Sequence, residues 1–238
     1  MKNILARGGI EFLAVLLGIS LSFNVDEWKQ DKEIEKRLKS DYINIQKDLR
    51  KDIALLEKVI VSQQKSFEGG SVALEMITNK EMFNYNKFIE NLKKVWNGST
   101  FFGTSSAYNA SVSSGRLTYF GNDEITNEIG IIYGHSYSRM DLNGEQLDSF
   151  WYSSDFGISY FGADPFNSDI IETNLNKIFS NDYLGSLKTF IDEIQRLYIR
   201  KAQNALNQMK KVDLMLDDKI KKLSIYHWIF IHIIFLIV

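Results

Sequence analysis

The sequence predicts a mainly α protein. An N-terminal transmembrane helix continues into a long amphipathic helix, a helical bundle domain follows, and a long C-terminal helix leads to a short apolar tail. Three observations carry this reading. Residues 26–66 contain no proline or glycine, and Leu38, Tyr42, Ile45, Leu49, Ile53, Leu56 and Ile60 recur at helical spacing. Residues 182–222 repeat the pattern through Leu184, Leu187, Ile191, Ile194 and Tyr198, then Ala205, Met209, Val212, Leu216 and Ile220. Strongly apolar stretches stand outside both helices, at the two ends of the chain.

The first end segment runs from Ile10 to Phe23 with Glu11 as its one charge. Counted from Gly8 to Asn24 it is 17 residues, about 25 Å of helix and at the short end of the spanning range. Residues 8–24 are therefore expected to form a membrane anchor. A cleaved signal peptide is an alternative, because Lys2 and Arg7 supply a basic start and Ser20-Leu21-Ser22 a small-x-small site. A buried core helix is the third reading.

Residues 25–222 form the expected bundle domain. The first long helix opposes its apolar face with Lys39, Asp41, Lys47, Asp48, Arg50, Lys51, Asp52, Glu57 and Lys58, and is expected to stop at Gly69-Gly70. Short helices are expected over 71–78 and 84–96. A Ser/Thr-rich segment covers 100–115, and 123–152 reads as helical despite Gly130, Gly134 and Gly144. Residues 153–166 form an aromatic loop with the one proline, Pro165. Tyr152, Phe156, Tyr160, Phe161 and Phe166 in and beside it suit either a pocket or a mini-core. Asn181 or Asp182 is placed to cap the last long helix.

Residues 223–238 carry no charged side chain and read as a second transmembrane or an interfacial segment, with Tyr226 and Trp228 at the level of an aromatic belt. The basic residues flanking the end segments favour a cytoplasmic bundle, although Asp26, Glu27, Asp31, Glu33 and Glu35 are mixed among them.

Two blocks carry a family resemblance. Gly9 to Ser22, reading GIEFLAVLLGISLS, is followed by Asn24 and Trp28. This resembles a bacterial membrane family of unknown function that begins with Gly-Glu-hydrophobic-Leu, then Gly-Ile, then Asn and Trp. Leu38, Asp41, Leu49, Asp52 and Leu56 are similar to its charged helix. Thr104 to Leu117, then Asn122-Asp123-Glu124-Ile125 and Tyr133, are similar to its second block. The chain departs from the pattern where Ile10 separates Gly9 from Glu11, where Ala110-Ser111 stands near the family's Leu, and in its apolar tail. The resemblance implies an uncharacterised protein of the cytoplasmic membrane with its domain outside, and no known reaction.

Composition excludes several classes. With 28 basic and 30 acidic residues the net charge is -2, so no nucleic acid is expected as partner. Zero cysteines exclude disulfides, thiolate metal sites and a cysteine nucleophile. The G-x-S-x-G, H-E-x-x-H, G-x-x-x-x-G-K and G-x-G-x-x-G patterns do not occur. No enzyme, cofactor or metal is expected; His227 and His232 are five apart and do not share a helix face, and His135 stands alone.

Interaction candidates fall in two groups. Glu11 is costly inside a span and is either paired with Arg7, four residues earlier, or with a partner helix. Gly18 and Ser22 form a small-xxx-small pair suited to helix association. Asn24 and Trp28 mark the membrane boundary or a docking site. In the second group, Tyr108, Ser113, Ser114, Gly115 and Arg116 either end a helix or cradle a ligand. The expected partners are the bilayer and a protein or a second copy of the chain. The expected role is sensing, binding or protein interaction, with an accessory subunit of a larger membrane complex as the alternative.

Overall fold

In the computed structural model, residues 2–121, 123–152 and 158–237 are described, without the side chains at 2–11, 14, 158–159 and 225–237. Among the described residues every regular element is helical. Helix α1, Lys2–Thr78, holds 77 residues, about 115 Å at 1.5 Å per residue. It is followed by α2 (Tyr85–Trp96), α3 (Ser106–Ser113), α4 (Glu124–Ile131), α5 (Tyr137–Trp151), α6 (Ile171–Ile178), α7 (Asn181–Thr189) and α8 (Arg196–Ile237). π-helical turns at Ile132–Ser136 and Phe190–Gln195 join α4 to α5 and α7 to α8 without a break.

α1 and α8 pack antiparallel as the spine. On α1, Leu38, Tyr42, Ile45, Leu49, Asp52, Leu56, Val59, Gln63 and Ser66 are all buried. Their steps alternate strictly between four and three, the 3.5-residue period of a coiled-coil seam. On α8, Tyr198, Ala202, Ala205, Met209, Val212 and Leu216 are buried in the same rhythm. Across the seam, the Gln46 side-chain amide donates to Asp217 at 2.8 Å, and Lys210 pairs with Glu57 at 2.6 Å. Opposite charges at these flanking positions fix partner orientation and register.

The apolar spacing expected for both long helices is present, with four corrections. Asp52, expected on the charged face, is 2% exposed and sits in the seam, whereas Ile53 is only half-buried. A straight helix drifts away from a 3.5-residue seam, and the supercoiled pair selects position 52. Gly69-Gly70 does not end α1. A Cβ on Gly69 would stand 2.7 Å from the Asn91 carbonyl oxygen, and one on Gly70 would strike Ile191. The pair therefore lets α2 and the 190–195 turn approach α1, and residues 71–78 are its last two turns. The helix α7 is capped by Ser180, whose Oγ accepts from the Tyr183 N–H at 3.2 Å, rather than by Asn181 or Asp182. Asn84 caps α2 and Asp123 caps α4 through their carboxamide and carboxyl oxygens.

The aromatic segment folds back as a mini-core at the far end of the spine. Phe161 is fully buried against Phe88 and Tyr183, and Tyr160 stacks on Tyr183 at 5.6 Å. Lys93 covers the Phe166 ring at 4.5 Å. Tyr152 remains 87% exposed, and Phe156 lies outside the described residues.

Residues 8–24, where an anchor is expected, are helical and continuous with the spine. Among the described residues no helix is long and apolar enough to cross a membrane. The side chains of residues 225–237, and Val238, lie outside the described residues, so beyond Ser224 the expected second segment is described only as backbone of α8.

The glycines separate into two kinds with opposite mutational signs. Gly70→Ala is expected to cost about 1–3 kcal/mol through overpacking against Ile191. Gly185→Ala, at an exposed position of α7 with open space around it, is expected to add about 0.5–1 kcal/mol. Urea unfolding of both variants checks the pair.

Candidate functional site

Two regions emerge from the candidates. The Gly18 group lies on the part of α1 that projects beyond the spine. Gly18 has nothing within 4 Å of an added Cβ. The Ser22 hydroxyl donates back to the Gly18 carbonyl at 3.0 Å, and the Asn24 amide donates to the Ser20 carbonyl at 2.7 Å. These local bonds return a side-chain donor to the backbone of their own helix four residues earlier. The Glu11 side chain lies outside the described residues. From Phe12 to Val25 the described apolar side chains are bare, among them Leu17 at 61% and Phe23 at 71% exposed.

The second group packs onto α1. Ser113 is the last residue of α3, and the Ser114 N–H closes onto Ala110. Gly115 takes φ +70°, and its N–H reaches the Val112 carbonyl at 2.9 Å. This is helix termination, which glycine in the left-handed region performs without strain. Arg116 then grips Asp41 through both oxygens, at 2.7 and 3.1 Å, and the Ser111 hydroxyl adds a third bond at 3.0 Å. Tyr108 stacks on Tyr133 at 4.4 Å. Farther along α1, the Asp52 Oδ2 accepts the Thr104 N–H and the Tyr137 hydroxyl, both at 2.7 Å. Asp41 and Asp52 are three helical turns apart, so both face the 104–137 segment. The two blocks similar to the known family thus meet, carboxyl against hydroxyl, guanidinium and backbone N–H. Asp41, Asp52 and Tyr137 are not among the sequence candidates; the eleven-residue spacing of the two Asp, three helical turns, is a signal that marks the two carboxyls as sharing a face, and no spacing marks Tyr137.

Buried phenols surround this contact. Burial pushes Tyr137 well above its ordinary pKa, and the hydrogen bond to Asp52 adds to the effect. Tyr133 is likewise raised, by burial first and then by Asp52 and Asp48, and its hydroxyl has no hydrogen-bond partner among the described residues. Burial also raises Tyr198, whose hydroxyl accepts the Phe101 N–H at 2.8 Å.

Where α1 leaves the spine, a groove of about 470 Å³ opens at the base of the bundle. Trp28, Leu38, Leu117, Phe120 and Leu223 form its apolar walls. Charged pairs rim it: Lys32 with Glu35 at 2.7 Å and Lys219 with Asp123 at 2.8 Å. Burial pushes the Asp123 carboxyl up, but Lys219 and the two donors of Thr126 outweigh it and hold the group below its usual range. Trp28 was a candidate; Phe120, Asp123 and Lys219 were not. Among the described residues no group of three or more His, Asp or Glu is placed to hold a metal.

These features define a mainly helical protein whose middle segment is tied by polar contacts to an antiparallel coiled-coil spine. Within that class, the chain belongs to a family of unknown function, DUF6090, whose model matches residues 11–177. No curated protein and no solved structure matches the chain. The family match begins at Glu11, after Gly9 and Ile10 of the first resemblance block, and stops within α6, short of α8 and its half of the seam.

Two measurements test the polar contact. Tyr137→Phe is expected to cost about 1–3 kcal/mol by removing one partner of a buried carboxyl. Combined with Asp52→Ala it should fall short of additivity by at least about 0.5 kcal/mol, since the two side chains share one bond. Alkaline titration provides the second test. The folded pKa values of Tyr133, Tyr137 and Tyr198 lie above the unfolded value of 10.0. Their contribution to stability is therefore full below that value and is lost as pH rises toward the folded values. Absorbance at 295 nm should show exposed tyrosines ionising first, and the buried set only together with loss of helical circular dichroism.

Proposed function

We propose that the protein is a noncatalytic, membrane-anchored helical domain that senses, binds or holds a protein partner at the cytoplasmic membrane. The observation that supports this reading most directly is the bare apolar collar Phe12–Val25 on a helix that is continuous with a packed, charged bundle. Monomeric soluble proteins rarely leave so large an apolar surface in contact with water. From Gly8 to Val25 the sequence carries one charge, Glu11, so the lipid-compatible length extends beyond the collar itself. Ser22 and Asn24 return their donors to the helix backbone, which removes the main cost of placing them in lipid.

A second reading, an accessory subunit of a membrane complex, draws on Gly18. Its open face, one turn from Ser22, allows another helix to approach closely.

The full chain is expected to pellet with membranes and to resist carbonate extraction. Release by carbonate would overturn the anchor. A cysteine at Tyr152, in this cysteine-free chain, reports the facing of the bundle: labelling by an impermeant thiol reagent in intact cells places it outside, and labelling only after lysis places it inside. Gly18→Ile is expected to leave membrane insertion intact and, for a subunit, to abolish co-purification of its partners in mild detergent.

A further inference from the structure

The base of the bundle carries a second apolar feature besides the collar. Residues 116–121 fold into two successive turns, in which the Tyr119 N–H donates to the Arg116 carbonyl and the Gly121 N–H to the Thr118 carbonyl. Gly121 closes the second turn at φ +89°, a conformation that favours glycine. The turns are held firmly. Arg116 is fixed on Asp41, Leu117 is buried, and the Tyr119 hydroxyl donates to Asp31 at 3.1 Å. What this support presents outward is aromatic: Tyr119 is 49% and Phe120 54% exposed, with their rings edge to face at 4.9 Å.

Height along α1 decides what these rings meet. Tyr119 is tied to Asp31, six residues past Val25, where the collar of bare apolar side chains ends, and three past the half-exposed Trp28. Six residues are about 9 Å of helix with α1 along the bilayer normal, comparable with the headgroup layer of about 5–8 Å on each side of the hydrocarbon core. Trp28, which lines the groove together with Phe120, stands between those levels. The same groove is rimmed by paired charges of both signs, which suits the zwitterionic or mixed headgroups of a lipid surface. Tyr119 has the division expected of an interfacial residue, a polar tip secured and a ring left free.

We propose that the Arg116–Gly121 loop seats the bundle on the bilayer, with Phe120 inserted at the headgroup boundary and Tyr119 lying beside it. The inference rests on the membrane-anchor reading of α1. It gives the domain a fixed height and rotation above the lipid, in place of free swinging about a single helix.

The test uses full-length protein in phosphatidylethanolamine–phosphatidylglycerol vesicles. Single cysteines replace Leu17, Phe120 and Phe102, and each carries a nitroxide. Phe102 is the control, being 63% exposed and adjacent to the segment bonded to Asp52, about 30 Å farther along α1. Relaxation by oxygen, which concentrates in lipid, is compared with relaxation by a water-soluble nickel chelate. The oxygen-to-nickel ratio at position 120 is expected to be several-fold above that at 102 and below that at 17, which lies about 12 Å deeper than Val25 along α1. A ratio at 120 equal to that at 102, with 17 lipid-like, overturns the seating while leaving the anchor in place. Shielding of 120 from both reagents, the signature of a protein contact, overturns it as well. A water-like ratio at 17 removes both readings. Thermal melts of the Phe120→Cys protein, expected to match the parent, verify that the loop is intact.

Discussion

The bundle depends on one buried carboxyl group. Asp52 occupies a seam position of a coiled coil, where an apolar residue is the ordinary choice, and it is 2% exposed. A polar group removed from water must find partners. It finds the Thr104 N–H and the Tyr137 hydroxyl, which belong to a loop and a helix far from it in sequence. Satisfying Asp52 therefore docks the middle of the chain on the spine. Asp41 repeats the arrangement lower on the same helix face with Ser111 and Arg116.

The polar seam positions continue upward. The Gln195 side-chain amide donates to Gln63 Oε1 at 3.0 Å and to the Ser66 hydroxyl at 2.6 Å, while Gln63 and Ser66 donate to the Ser99 and Val95 carbonyls. Apolar residues alone would tolerate a one-heptad slip of α1 against α8. Each polar station penalises it, because a displaced donor or acceptor would be left unmade inside the core. Specificity of this kind is the best-attested use of polar groups at coiled-coil core positions.

Much of the spine was legible in the sequence because helical spacing is a local property. Leu38, Tyr42, Ile45 and Leu49 declare their face without reference to anything else. The step at 52–53 was ambiguous for a physical reason: a straight helix favours Ile53, and only packing against a partner helix selects Asp52. Gly69-Gly70 carried a helix-end signal, and the side chain that gives the pair its other meaning, Ile191, is about 120 residues away. The Arg116–Asp41 grip joins residues 75 apart, which no spacing rule reaches. Ser113 to Gly115 end α3, one of the two readings that their sequence offers.

The antiparallel arrangement has a mechanical consequence. The parts of α1 before Leu38 and of α8 after Leu223 leave the spine at the same end, beside the Lys219–Asp123 pair. A load that draws these exits apart would not shear the seam, which would require every heptad to yield at once. It would peel the seam, opening Leu38 and Leu216 first and meeting each polar station in turn. Peeling needs far less force than shearing for the same total contact, and it proceeds in steps. The geometry is that of a latch with its weak edge at the base of the bundle and its strongest ties, around Asp52 and Gln195, deep inside.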